Sequence, residues 1–78
     1  MFDEITNIEF NGKVYEQSHG SPFDRGSADS YYRRARNPHK GGSGGNYGFE
    51  PITDLTAEEL EAYHAGFDYN EQSGCFKY

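Results

Sequence analysis

The sequence has one cysteine, no tryptophan and no long apolar run. Because Cys75 stands alone, an internal disulfide is excluded, and a reducing cytoplasm is the compartment we expect. No apolar stretch approaches the roughly 20 residues of a membrane span, and none resembles a signal peptide. The three histidines and Cys75 match no zinc-ligand spacing, so we expect neither a bound metal nor a cofactor.

A catalytic arrangement is also absent from the order of the residues. Nucleophilic catalysis needs a cysteine or serine beside a positioned histidine and a third orienting group, and the sequence offers no such set. We treat residues 1–78 as one small domain, which by size scaling buries only roughly 60–65% of its unfolded surface. We therefore predict a binding protein and not an enzyme.

Apolar residues are few, at 33%, and the mean hydropathy is −1.01. Seven tyrosines and six phenylalanines nevertheless supply the bulky core material that disordered chains lack. The composition thus predicts a folded domain.

Acidic and basic residues are concentrated in different segments of the chain. Residues 41–78 contain seven acidic residues and one lysine, a net charge of −6, and residues 1–23 contain four acidic residues and one lysine, a net charge of −3. Residues 24–40 contain five basic and two acidic residues, a net charge of +3. Fields of this kind steer partners over long range without specifying fold or chemistry.

A β-hairpin is predicted over residues 4–18. Asn11-Gly12 is the strongest short-range hairpin signal, because both positions of a type I′ turn need positive φ. A two-residue turn there pairs Phe10 with Lys13 and Ile8 with Tyr15, which places the aromatic side chains on one face. A hairpin alone is marginally stable, so this face must pack on another element.

A first helix is predicted from Ser21 to about Arg34. Ser21 caps it, Pro22 suits the first helical position, and Pro38 prevents its continuation. A flexible glycine-rich loop is expected at residues 41–46, and it is either native or an engineered linker.

A second helix is predicted from Thr56 to about residue 72, before Gly74. Thr56 and Glu59 form a capping box, and Leu55 and Leu60 occupy the positions of a hydrophobic staple. The buried stripe of this helix is expected to be Leu60, Tyr63 and Phe67.

The predicted fold class is α+β, an N-terminal hairpin packed on two helices. A third strand is expected from residues 47–52 or from residues 75–78, because a lone hairpin makes a poor sheet. The motif aromatic-x-x-Gly occurs in both helices and ends at Gly26 and Gly66. Glycine inside a helix costs about 1 kcal/mol relative to alanine, so we predict that these two glycines allow a close helix–helix approach.

An acidic ridge is predicted on the second helix. At 100° per residue Asp54, Glu58, Glu61 and Asp68 fall within an arc of about 80°, beside the apolar stripe. The arc spans about 15 Å, comparable to a few phosphates along a nucleic-acid strand. The alternative is an ordinary solvated helix face. The carboxylates predicted to contact a partner are Asp54, Glu58, Glu61, Asp68 and Glu71.

Residues 31–40 have the basic and aromatic composition of an RNA-binding segment, in which bases stack on rings and phosphates meet guanidinium groups. Pairing of its arginines with the protein's own carboxylates is the alternative. In a third interpretation, Tyr31, Tyr32 and Arg34 anchor a protein partner and the acids only steer it, since Tyr and Arg are enriched among interface hot spots.

Residues 21–40 and 54–74 together resemble short proteins of bacteriophages and mobile elements, a class that includes anti-CRISPR inhibitors. The resemblance implies a non-enzymatic inhibitor in the cytoplasm of an infected bacterium. It would bind a protein complex with a basic nucleic-acid-binding groove, with a type I CRISPR surveillance complex as the expected target, and block DNA recognition through an acidic, DNA-mimicking surface. Neither direct DNA binding nor membrane association is expected.

A second resemblance rests on the doubled aromatic-x-x-Gly helices and the Asn37-Pro38 connector. These features are similar to ribosome modulation factor, a short two-helix bacterial protein that binds ribosomes. This resemblance implies the alternative function, a small ribosome- or RNA-associated regulator.

Overall fold

The computed structural model describes residues 7–42, 48–74 and 76–77. It shows an α+β fold with two helices and two small antiparallel sheets. No helix in these ranges is both long enough and apolar enough to cross a membrane. In chain order the elements are β1 (Asn7–Phe10), β2 (Lys13–Glu16), α1 (Pro22–Tyr31), β3 (Lys40–Gly41), β4 (Pro51–Ile52) and α2 (Ala57–Ser73).

The predicted hairpin is confirmed in its register. β1 and β2 pair with Phe10 opposite Lys13 and Ile8 opposite Tyr15, and residues 4–6 lie outside the described range. Asn11 and Gly12 take φ values of 54° and 81°, as a type I′ turn requires. The aromatic face of the hairpin packs on the helices as expected.

The core lies between the hairpin and the two helices. Tyr15 stacks on Phe23 of α1 with ring centroids 5.3 Å apart, and Phe10 meets Tyr69 of α2 edge to face at 5.6 Å. Ala65 completes the buried cluster. Aromatic pairs of this kind add about 0.5–1.5 kcal/mol each to the free energy gained by burying their area.

Helix α1 begins as predicted and ends three residues before the expected Arg34. The Ser21 hydroxyl accepts a hydrogen bond from the backbone N–H of Asp24, and Pro22 occupies the first helical position. At the other end Arg33 takes the left-handed conformation, with φ 62°. The N–H of Arg34 then bonds to the carbonyl of Asp29 at 2.7 Å, which closes the helix in a Schellman motif.

Helix α2 confirms both predicted caps. Both hydrogen bonds of the Thr56–Glu59 capping box are present, and Gly74 ends the helix in the left-handed conformation. The prediction that Leu60 is buried is wrong, since 41% of its surface is exposed. The buried part of α2 begins only at Tyr63, so Leu60 lies one turn outside the helix–helix contact.

The expected additional strand forms at Pro51–Ile52 but does not extend the hairpin. It pairs with Lys40–Gly41 in a separate two-stranded sheet. Gly41 is therefore part of a strand and not of the flexible loop, and its N–H bonds to the carbonyl of Gly20 at 2.8 Å. Residues 43–47, 75 and 78, which contain most of the predicted loop and half of the alternative strand, lie outside the described residues.

The two helices touch through their backbones. A Cβ added to Gly26 would lie 2.0 Å from the carbonyl oxygen of Tyr63, and one added to Gly66 would lie 2.0 Å from that of Phe23. The contact is reciprocal, because in each helix the aromatic residue three positions before the glycine covers the glycine of the other helix. The predicted close approach is confirmed.

We expect Gly26→Ala to destabilise the protein by about 3 kcal/mol or more, or to prevent folding, because the helices must separate to admit the methyl group. The measurement is urea denaturation. Gly74→Ala is the control: Gly74 also needs a glycine conformation, with φ 70°, but its added Cβ would meet nothing within 4 Å. It should lose only about 1 kcal/mol. Equal losses in the two variants would contradict a steric role for Gly26.

Candidate partner-binding surfaces

The predicted acidic ridge is shorter than the sequence indicated. Asp54 precedes the N-cap Thr56 and lies outside the helix, so it does not share the helical arc. The arc on α2 itself contains Glu58, Glu61 and Asp68. The structure places all three on the surface of the helix.

Glu61 is paired with the hairpin. Its carboxylate accepts hydrogen bonds from Lys13 Nζ at 2.9 Å and from the Tyr15 hydroxyl at 3.3 Å. The bond from Lys13 lowers the pKa of Glu61 below its usual 4.5 and raises the pKa of Lys13 above 10.5. This carboxylate therefore joins β2 to α2 and is not a free charge.

Asp68 is paired with the connector between α1 and β3. Arg36 donates to Asp68 Oδ1 and, at 2.9 Å, to His64 Nδ1, and its guanidinium carbon lies 4.3 Å from the centre of the Phe67 ring. A guanidinium can only donate, so His64 Nδ1 is the acceptor in this contact. All three contacts hold Arg36 against α2.

Two further carboxylates of α2 have partners inside the protein. Glu71 accepts from the Ser30 hydroxyl at 2.7 Å, and Glu59 pairs with Lys40 of β3. Of the carboxylates predicted to contact a partner, Asp54 and Glu58 have no ion pair or hydrogen bond with any residue that the structure describes. The protein's own basic residues thus neutralise much of the predicted ridge.

A second surface forms where α1 ends. Tyr31 and Tyr32 are 37% and 46% exposed, and their rings meet edge to face with centroids 5.0 Å apart. Basic side chains and the C-terminal segment surround them. We call this surface the Tyr/Arg patch; it consists of Tyr31, Tyr32, Arg33, Arg34, Phe76 and Lys77.

Backbone hydrogen bonds fix the C-terminal part of the patch. The N–H of Lys77 donates to the carbonyl of Tyr31 at 2.8 Å, and Arg33 Nε donates to the carbonyl of Lys77 at 3.2 Å. The guanidinium of Arg33 also lies 5.1 Å from the centre of the Phe76 ring. Sequence reasoning missed Phe76 and Lys77, whose aromatic–basic pairing was the only available signal.

Two cations lie over the Tyr32 ring. The guanidinium carbon of Arg34 is 4.9 Å from the ring centre and Lys77 Nζ is 5.4 Å from it. Arg34 also reaches the buried carboxylate of Asp29, at the long distance of 3.4 Å. The side chain of Arg34 remains 60% exposed, so most of its donors face solvent.

Arg33 has a strained backbone. Among the described residues other than glycine, only Asn11 and Arg33 have positive φ. Asn11 tolerates this conformation in its turn, whereas for an arginine it costs about 1 kcal/mol. The C′ position of a Schellman motif adopts this left-handed conformation, so the positive φ of Arg33 follows from how α1 ends.

A buried polar network holds the connector behind the patch. The Tyr63 hydroxyl donates to Asp29 and accepts from the N–H of Asn37 at 2.9 Å. Burial, with the hydrogen bond to Asp29 and its charge, raises the pKa of Tyr63 to about 12, so this hydroxyl stays protonated. The network orients the chain that carries Arg34.

A pocket of about 360 Å³ lies beside this network, between α1, the connector and the β3–β4 sheet. Its two guanidinium groups already face carboxylates, since Arg25 pairs with Asp24 and Arg34 with Asp29. In the part of the chain that the structure describes, no group of three or more His, Cys, Asp or Glu side chains could hold a metal ion.

Comparisons of the chain with protein-family models, with curated proteins and with solved structures found no match. The geometry of the two surfaces is therefore the basis for any functional conclusion.

Stability should fall in acid because Glu59 and Glu61 are paired. The hydrogen bond from Lys40, and next the N–H of Thr56, lower the pKa of Glu59 in the folded state below 4.5. A lowered folded pKa means that the stabilisation is present above about pH 4.5 and is lost as the pH falls through the folded value. Urea denaturation between pH 6 and pH 2.5 measures this loss.

The loss should be smaller in Glu59→Gln and Glu61→Gln than in the wild type. Glu58→Gln is the matched control, because Glu58 lies on the same helix without an ion-pair partner among the described residues. If Glu58→Gln reduced the acid sensitivity as much as Glu59→Gln, the pairing with Lys40 would not be its cause.

Proposed function

We propose that this protein is a non-enzymatic inhibitor that binds a nucleic-acid-binding protein complex, with the Tyr/Arg patch as its anchor and its exposed carboxylates as steering charges. The observation that carries this proposal is the pair of half-exposed tyrosines fixed at the end of α1 among three basic side chains. Tyrosine and arginine dominate the few residues that supply most of the binding free energy at protein interfaces.

The patch is well suited to be an anchor because it is already ordered. Tyr31 and Arg33 are held by hydrogen bonds to Lys77, and Arg34 follows a closed Schellman turn. Binding therefore immobilises few additional side chains, each of which would cost about 0.5–1.5 kcal/mol. A rigid aromatic pair with basic neighbours slows dissociation more than it speeds association.

The acidic surface has a different role in this proposal. Glu61 and Asp68 are already paired with Lys13 and Arg36, so a partner would have to displace those cations to bind them. Asp54 and Glu58 remain exposed, and the chain keeps a net charge of −6. Such a field accelerates association with a basic groove. The resemblance to anti-CRISPR proteins makes a type I CRISPR surveillance complex the first partner to test.

Binding kinetics on an immobilised type I surveillance complex test the proposal. We expect Tyr32→Ala to raise the dissociation rate by at least about tenfold, equivalent to roughly 1.4 kcal/mol, with little change in association. The double variant Asp54→Asn, Glu58→Gln should do the reverse, with slower association and weaker salt dependence. A folded Tyr32→Ala variant with an unchanged dissociation rate would contradict the anchor.

Capture from bacterial lysate, with and without nuclease, extends the test to other complexes. The expected partner is retained after nuclease treatment and is lost from Tyr32→Ala beads. Retention by both baits would show binding that does not use the patch.

A second candidate function is a ribosome- or RNA-associated regulator, which is favoured by the collection of Arg33, Arg34 and Lys77 around two tyrosines. It predicts an RNA gel shift by the isolated protein, weakened by Arg33→Ala and reduced steeply by salt. Absence of a shift at micromolar protein and low salt would contradict this function.

A further inference from the structure

We infer that the Tyr/Arg patch binds an acidic segment of the partner protein, in which at least two carboxylates pair with Arg33, Arg34 and Lys77. This inference rests on the proposed function and specifies the chemistry of its partner.

Most of the positive charge of the patch is not paired with a carboxylate of a described residue. Among the described residues, neither Arg33 nor Lys77 makes an ion pair; Arg33 meets only a carbonyl oxygen and the Phe76 ring. Arg34 reaches one buried carboxylate at 3.4 Å. Three positive charges therefore lie together on a chain whose net charge is −6. A complementary surface must be negative.

The two cations over the Tyr32 ring favour a carboxylate over a nucleic-acid base as the group that binds there. A base can stack on Tyr32 without obstruction only where no side chain covers the ring, and Arg34 and Lys77 both lie over it. A guanidinium stacked on a ring still presents its N–H edge, and this edge fits a carboxylate with two parallel hydrogen bonds. At Tyr32 the patch thus offers donor edges in place of an open stacking face.

The net charge of the protein favours the same partner. A nucleic-acid strand brings a long array of phosphates toward a protein of net charge −6, and the repulsion grows with each phosphate outside the patch. An acidic protein segment brings only a few charges. Within one Debye length, roughly 8 Å at physiological salt, the three cations of the patch determine the electrostatic potential that this segment meets.

Arg36 supplies a matched control from the same run of arginines. Its guanidinium is held by Asp68 and His64 and lies over Phe67, so its charge is already paired with a carboxylate. Arg33 has no ion pair with a described residue and Arg34 has only the distant Asp29, whereas Arg36 is held in a close ion pair. If the whole basic segment attracted the partner only through its total charge, substitution of any one of the three arginines would weaken binding equally.

The test is a titration of the full chain followed by amide NMR shifts. The probe is a twelve-residue peptide of alternating glutamate and tyrosine; the comparison probes are the same peptide with glutamine for glutamate and a twelve-nucleotide uridine RNA. We expect saturable shifts at Tyr31–Arg34 and Lys77 with the glutamate peptide, and none with the glutamine peptide or the RNA.

The variants then localise the contact. Arg33→Gln, Arg34→Gln and Lys77→Gln should each weaken binding of the glutamate peptide at least about fivefold, as loss of a charge-assisted hydrogen bond implies. Arg36→Gln should leave the dissociation constant within about twofold. Shift dispersion reports whether each variant is folded, and the two variants at Arg33 and Lys77 leave the Asp29 pair intact.

Four outcomes would overturn the inference. Equal shifts with the glutamine peptide would remove the role of the carboxylates, and equal weakening by Arg36→Gln would show diffuse attraction. Binding of the RNA in place of the peptide would assign the patch to nucleic acid. Shifts that grow with protein concentration alone would assign it to a second copy of this chain.

If the glutamate peptide does not bind while Tyr32→Ala still speeds dissociation from the surveillance complex, the proposed function stands and only the acidic partner is rejected.

Discussion

The backbone contact between Gly26 and Gly66 is the constraint on which the other contacts depend. With each glycine against a carbonyl oxygen of the opposite helix, α1 and α2 approach more closely than any side chain would allow. This approach brings the Tyr63 hydroxyl to Asp29 and lets Asn70 donate to the Ser30 hydroxyl at 3.0 Å. Alanine at either glycine would therefore disturb a polar network as well as a packed core.

The same approach places the Tyr/Arg patch. One carboxylate oxygen of Asp29 accepts a hydrogen bond from the Tyr63 hydroxyl of α2, and the other accepts one from Arg34. The same side chain therefore links the two helices and orients the exposed arginine. The tyrosines that follow lie at the end of α1, where the helix closes through the left-handed Arg33. Most residues of the Tyr/Arg patch lie outside helices and strands, and the packed pair of helices holds them in place.

The acidic residues of α2 act mainly inside the protein. Glu61, Asp68 and Glu59 join the helix to β2, to the connector and to β3 respectively. Exposed pairs of this kind contribute little stability individually, but each fixes a different segment of the chain on the same helix. The interpretation in which the basic segment pairs with the protein's own carboxylates holds for Arg36, for Lys40 and, at a longer distance, for Arg34. Arg33 has no such partner among the described residues.

Local interactions allowed the hairpin register, both N-caps, the Gly74 stop and the glycine contact to be predicted from sequence, because each depends on residues within a few positions or on the absence of a side chain. The exposure of Leu60, the separate β3–β4 sheet and the pairing of Arg36 with His64 and Asp68 were decided by the tertiary structure. The residues in these contacts lie far apart in the sequence. Arg36 is 28 positions from His64 and 32 from Asp68, and the hydrogen bond from Arg33 to Lys77 joins residues 44 positions apart. Only the packing of the helices determines which of several similar arginines meets a carboxylate and which remains exposed.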